Sequence, residues 1–177
     1  RPAFWMDIAR ILERGKLDML FLADGIGVSD RYGHSIETTI RYGVQCPSHD
    51  VTPLVAMLAP VTQRLGLAAT VSTAYLPPQY LARLLATLDH LSEGRVGWNV
   101  VTSPLEMFSP GQHQYTHDER YDRADEYLDV CNMLWSSWEP DAIIMDRETG
   151  IFADPAKVHP VNHEGKYFKV KGPLQVP

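Results

Sequence analysis

The sequence predicts an α/β fold built on a parallel sheet, and three observations carry that expectation. Short, almost continuously apolar runs, "LDMLFLAD", "LGLAATVST" and "RVGWNVVTS", have the pattern of strands buried on both faces. Longer segments between them repeat apolar residues at helical spacing. The two kinds of segment alternate, which is the mark of βα units joined by right-handed crossovers.

The elements follow in order. Phe4, Ile8, Ile11 and Leu12 share one helical face, and Gly15 stands where a C-terminal cap belongs. "LDMLFLAD" is the first strand and stops at Asp24. A long polar loop is expected to about residue 50, and then "TPLVAMLAPVTQRLG" is helical by its spacing, with Pro60 kinking it or marking its end. "LGLAATVST" is the second strand. Pro77 and Pro78 introduce "QYLARLLATLDHLSEG", in which Leu81, Leu84, Leu85, Leu88 and Leu91 form an apolar stripe closed by Gly94. "RVGWNVVTS" is the third strand. "DERYDRADEYLDVCNMLWSSW" is another amphipathic helix, with Asp118 expected as its N-cap. "KVHPVNHEGKYFKVKGPL" reads as two extended runs around His163, Glu164 and Gly165, part of a hairpin excursion over about 141–174 within a single domain spanning 1–177. A complete eight-stranded barrel takes about 250 residues, so three strands fit either a small open sheet or a piece of a barrel.

Composition narrows the function. The chain has 177 residues, 45% hydrophobic and 21% charged, an ordinary balance for a globular domain with one sizeable core. Sixteen Lys and Arg against 22 Asp and Glu give a net charge of -6 without a basic stripe, which argues against nucleic acid. No apolar run approaches the roughly 18 residues that cross a bilayer, and the opening "RPAFWMDIARILERG" reads as an amphipathic helix, so no membrane partner and a cytoplasmic location are expected. Cys46 and Cys131 form no CxxC pair and read as packing residues.

Parallel α/β proteins bind ligands beyond the carboxyl ends of their strands. Asp24 closes the first strand, Thr70, Ser72 and Thr73 close the second, and Asn99, Thr102 and Ser103 lie in or beyond the third. Each has a bland reading as a cap or a satisfied core amide; together they suit a ligand that is polar along one edge and flat or apolar elsewhere. Asn99 interrupts a run of Val and Trp, where an unpaired amide costs roughly 1 to 3 kcal/mol, so it requires a partner. His117 and Tyr121 are four apart at a helix start, an arrangement that suits a phosphate, or else a solvated helix start in which Glu119 pairs with Arg123. Other motifs are weak. "DGIGVSDRYG" has Asp30 where a dinucleotide fingerprint needs glycine, and His159 and His163 flank Pro160 without a third metal ligand. Trp135 and Trp138 read as core.

The segments "FLADG", "LGLAATVSTAYLPPQYLARLLATLDHLSEGRVGWNVVTS", "HDERYDRADEYLDVCNMLWSSW" and "GIFADPAKVHPVNHEGKYFKVKGPLQVP" resemble the bacterial-luciferase-like flavin monooxygenases, nearest the branch of nitrilotriacetate monooxygenase component A and dibenzothiophene-sulfone monooxygenase. The resemblance implies an eight-stranded TIM-type (β/α)8 barrel, of which this chain would supply about the second to fourth strand units. It implies FMN as cofactor, reduced by a separate NAD(P)H-dependent flavin reductase and used with O2 to oxygenate a small organic substrate. It also implies a homo-oligomer for the full-length enzyme. By matching motif, Asp24, Thr70, Asn99, His117 and Tyr121 would contact the flavin and Gln45 of "GVQCP" would line the substrate side, while no catalytic residue and no metal site are assigned. Between Ser103 and His117, "PLEMFSPGQHQYT" is shorter than the family's segment and lacks its Asn-Phe-Gly. Two other readings stand beside this one: deazaflavin-dependent hydride transfer, which the WNVVTS and HDERY blocks disfavour, and a non-catalytic barrel remnant or interaction module.

Overall fold

The computed structural model describes residues 1–103 and 115–177. Two compact units form within the chain: Arg1–Val71 with Leu88–Gln114, and Ser72–Thr87 with Tyr115–Pro177.

The first unit holds the sheet. Helix α1 (Pro2–Arg14) is followed by β1 (Met19–Leu22), α2 (Glu37–Tyr42), α3 (Val51–Leu58), a 3-10 turn at Ala59–Val61, β2 (Gly66–Ser72, Ser72 falling in the second unit) and β3 (Val96–Val101). The strands run in the order β1-β2-β3, with β1 parallel to β2 and Leu22 opposite Ala69. As its unbroken apolar run predicts, β2 is the buried centre, where Leu67, Ala68, Ala69, Thr70 and Val71 are all at most 8% exposed. The expected long polar loop to residue 50 is not wholly irregular. It contains α2, whose six residues include a buried Thr39 bonded to Ser29 O at 2.7 Å. Pro60 does end the next helix as expected, by passing it into the 3-10 turn.

Two charged side chains tie this unit together. Glu13 Oε1 accepts the N–H groups of Gln63, Arg64 and Leu65 at 2.7, 2.6 and 3.0 Å, fixing the approach to β2 from α1. Arg95, at the foot of β3, donates to Leu65 O, Ala59 O and Thr62 Oγ1, each at 2.9 Å. Its guanidinium thereby pins the turn between α3 and β2, satisfying the carbonyls of Ala59 and Leu65.

The second unit is organised by α5 (His117–Trp135). Four residues spaced by four donate to the preceding segment: Arg123 Nη1 to Thr73 O (2.7 Å), Tyr127 Oη to Leu76 O (3.0 Å), Cys131 Sγ to Pro78 O (3.7 Å) and Trp135 Nε1 to Ala82 O (3.0 Å). That segment opens α4 (Pro78–Ser92), which reaches Thr87 within this unit and ends in the first. The leucine stripe of α4 is buried at Leu81, Leu85 and Leu88, while Leu91 is exposed. Burial pushes the Cys131 thiol up to about 12, which agrees with a packing role. Trp138 donates to Leu174 O at 2.7 Å, and Trp135 keeps 36% of its surface exposed, so it sits at the rim of the core.

Three local expectations are corrected. Thr116, not Asp118, is the N-cap of α5, and its hydroxyl and Glu119 form a reciprocal capping box. Glu119 is therefore engaged with Thr116 and forms no ion pair with Arg123. His163 and Glu164 are themselves a strand, β6 (His163–Glu164), paired antiparallel with β7 (Lys169–Val170), so the turn lies at residues 165–168. A separate hairpin, β4 (Ile143–Asp146) with β5 (Ile151–Ala153), precedes them.

Candidate functional site

In a parallel sheet, residues in register face the same side, and alternate residues of one strand share that side. Thr70 lies one residue beyond Ala69, the partner of Leu22, and Asp24 lies two residues beyond Leu22, so both stand at the same end of the sheet. On β3, Gly97 and Asn99 share a face, as do Ala68 and Thr70 on β2. A Cβ placed on Gly97 would come within 3.3 Å of Ala68 Cβ and 3.9 Å of the Met19 methyl, so these faces are adjacent and share a floor of Ala68, Gly97 and Met19. Above that floor, Asn99 Nδ2 donates to Thr70 Oγ1 at 3.0 Å. The Asn99 amide therefore has the partner its position demands, and among the described residues Thr70 is the one hydrogen-bond partner it has. Trp98, one residue earlier, donates from its Nε1 to Val71 O at 2.8 Å, which anchors β3 to β2 beside the pair.

Asp24 is exposed, and its Oδ1 accepts the Gly25 N–H at 2.7 Å. What burial its carboxyl has raises its pKa above the ordinary 3.8, and the charge of Asp50 adds to this against the opposing Gly25 hydrogen bond. Asp50 itself caps α3, accepting Thr52 N at 2.8 Å. Gln45 is exposed, with φ of 53°, in the loop that follows α2. The first unit thus joins Thr70 to Asn99, sets Asp24 at the same sheet end and carries Gln45 on a loop.

His117 and Tyr121 belong to the second unit. Their rings stack obliquely on the first turn of α5, centroids 5.0 Å apart, and both are exposed. His117 Nδ1 meets Asp118 Oδ1 at 3.0 Å, and the His117 and Tyr121 side chains are both largely exposed. Two acidic residues, Asp118 and Glu119, already occupy this first turn, as the positive end of the helix dipole favours. The segment "PLEMFSPGQHQYT" lies almost wholly outside the described residues.

One feature of the second unit was not foreseen from the sequence, a groove of about 340 Å³ walled by Ala74–Gln79, Arg123 and Tyr167–Val170. The Arg123 guanidinium stacks over the Phe168 ring at 4.8 Å there. Its only sequence signal was the Pro77-Pro78 pair, which marks an irregular segment but not its partner. Among the described residues no cluster of His, Cys, Asp and Glu is arranged to hold a metal ion, and no helix is long and apolar enough to cross a membrane.

Comparison with known proteins places this geometry in context. The family model for luciferase-like monooxygenases matches residues 1–177. Dibenzothiophene-sulfone monooxygenase of Rhodococcus erythropolis is 51% identical over 98% of this chain, which spans 39% of that relative's length. The crystal structure of a long-chain alkane monooxygenase superposes with a TM-score of 0.93 at 48% identity, covering 98% of this chain and 41% of the other. A riboflavin lyase solved with modified FMN and riboflavin superposes at 0.89 with 42% identity, covering 97% of this chain and 39% of its own.

Proposed function

The chain belongs to the luciferase-like monooxygenase family, whose fold is a TIM-type barrel of which it forms part, and we propose that it contributes the flavin side of an FMN-dependent two-component monooxygenase. In this reading a separate NAD(P)H-dependent reductase delivers reduced FMN, and the enzyme uses it with O2 to oxygenate a small organic substrate. The observation that carries the proposal is the Thr70–Asn99 pair at the sheet end, above the small residues Ala68 and Gly97. An isoalloxazine ring is flat and carries alternating donors and acceptors along one edge. An amide beside the small residues Ala68 and Gly97 suits both properties.

The residues fit the cofactor by chemistry, and their roles follow. Asn99 holds the polar edge of the ring, with Thr70 beside it and Asp24 at the neighbouring strand end. His117 Nε2 and the Tyr121 hydroxyl, at the start of α5, suit the phosphate. Gln45 suits the substrate side. Bound reduced FMN supplies the electrons and the reactivity toward O2, and the protein orients it and keeps water from it. Relatives named for a sulfone, for long-chain alkanes and for nitrilotriacetate span apolar and highly charged substrates, so the substrate class proposed is a small organic molecule.

Titration of FMN against the purified protein with its barrel complete tests the assignment. Asn99→Ala should weaken binding by about 1 to 2 kcal/mol, because it removes one hydrogen bond and leaves a buried partner unpaired. Unchanged affinity in a well-folded variant would count decisively against the role. Oxygen uptake with a reductase, screened over sulfones, alkanes and chelators, then identifies the substrate.

A further inference from the structure

We infer that the groove of the second unit binds a small organic anion, a carboxylate or sulfonate on an apolar or aromatic body, held by the Arg123 guanidinium with Lys169 beside it. The inference stands on this unit alone and does not draw on the FMN reading. At about 340 Å³ the groove has the size of a small-molecule site. Much of the backbone around it is already paired. Thr73 O, Leu76 O and Pro78 O accept from Arg123, Tyr127 and Cys131 of α5, Pro77 O accepts the Leu81 N–H at 3.1 Å, and the two prolines have no N–H to offer. On the facing wall the N–H groups of Tyr167 and Phe168 donate to Glu126, and Phe168 O accepts the Gly165 N–H at 2.9 Å. Recognition therefore falls largely to side chains.

Those side chains choose the sign of the ligand. In a chain of net charge -6, the two charged residues in the groove wall, Arg123 and Lys169, are both basic. Arg123 is half-buried and held on two sides: its guanidinium lies over the Phe168 ring at 4.8 Å and 5.8 Å from the Tyr115 centroid, and Nη1 donates to Thr73 O at 2.7 Å. These contacts fix the guanidinium plane, and the Thr73 bond is the one hydrogen bond that Arg123 makes among the described residues. A guanidinium carries N–H groups in a rigid fork, so one already oriented can offer the rest to two oxygens of a carboxylate or sulfonate at little cost in order. Tyr75, Leu76, Phe168 and Val170 supply apolar contact for the body of such a molecule, and Lys169 adds a second, exposed positive charge. A cation is repelled by both basic groups, and a neutral ligand gains the apolar contacts alone.

Calorimetric titration of the protein with its barrel complete, using 2-naphthoate and its neutral counterpart 2-naphthamide, tests the site. Naphthoate should bind one to one and about tenfold more tightly than the amide, the worth of a hydrogen bond to a charged group. Arg123→Lys keeps the charge but not the fork, and should remove most of that preference. Lys169→Gln removes an exposed charge and should lower it about twofold. Because the phosphate of FMN is also an anion, the titration is repeated with FMN present, and naphthoate binding should not change. Equal affinity for naphthoate and naphthamide in the unaltered protein overturns the inference without any variant, and so keeps it falsifiable if Arg123→Lys fails to fold. A preference undiminished in Arg123→Lys places the anion elsewhere and overturns it as well. Displacement of naphthoate by FMN assigns the anion to a flavin site, and this too overturns the inference while leaving the FMN reading intact.

Discussion

At the residue scale, the first unit depends on a carboxylate whose worth changes with pH. Glu13 accepts three backbone N–H groups, and its pKa is held below the ordinary 4.5 chiefly by those of Arg64 and Gln63; burial opposes this, and Leu65 and the charge of Arg95 add to the lowering. A carboxylate with a lowered folded pKa stabilises the fold above its unfolded value and loses that contribution as pH falls through the folded value. Glu13→Gln, which cannot carry the charge, should therefore melt at a lower temperature than the unaltered protein at pH 7. The gap should close as the melts are repeated below pH 4.5. A gap independent of pH would show that the nest is held by shape and not by charge. Neither this nest nor the Thr70–Asn99 pair was legible in the sequence. The residue types at the strand ends were visible, but Thr70 and Asn99 are 29 positions apart and their pairing follows from strand register, which local pattern does not encode.

Elements were legible in proportion to their periodicity. The five-leucine stripe of α4 and the apolar run of β2 announce themselves, whereas α2 has only six residues and no stripe. In the β4–β5 hairpin Ile143 and Ile144 are adjacent, as are Ile151 and Phe152, so no alternation appears. The cap of α5 was readable in principle, since Thr116 and Glu119 are three apart as a capping box requires, but Asp118 competes for the same role. The four-residue stripe of α5 makes a prediction of its own. Tyr127→Phe removes the donor to Leu76 O and should cost about 1 to 2 kcal/mol in denaturant unfolding. Gly165→Ala tests the other attachment of this helix. Glu126 accepts the Phe168 N–H at 2.8 Å, the Tyr167 N–H and His163 Nε2, and a Cβ on Gly165 would sit 2.0 Å from Glu126 Oε1. That overlap must displace the carboxylate from three partners, so about 2 kcal/mol or more should be lost. Wild-type stability in this variant would mean that the turn relaxes at no cost.

At the scale of the whole molecule, the βα alternation made the fold class legible, while the placement of three strands within a barrel came from likeness to a family and not from any spacing. What the sheet lacks is visible in its exposures. In the order β1-β2-β3 the outer strands each have one hydrogen-bonded neighbour among the described residues, and Met19 and Phe21 of β1 are 51% and 55% exposed. In a closed eight-stranded barrel every strand has two neighbours, and every face is covered. Open edges present unpaired N–H and C=O groups that recruit other chains, and large exposed apolar side chains beside them strengthen the tendency. Residues 1–177 produced as an isolated polypeptide should therefore self-associate and purify without flavin, because contacts within one binding site are coupled and part of a site holds far less than its share of the affinity. Size-exclusion chromatography with an absorbance spectrum across the peak decides the matter. Association that weakens when Met19 and Phe21 are both replaced by Ser would trace it to this face of β1, whereas a monomeric yellow species would show that the open sheet end alone both folds and retains FMN.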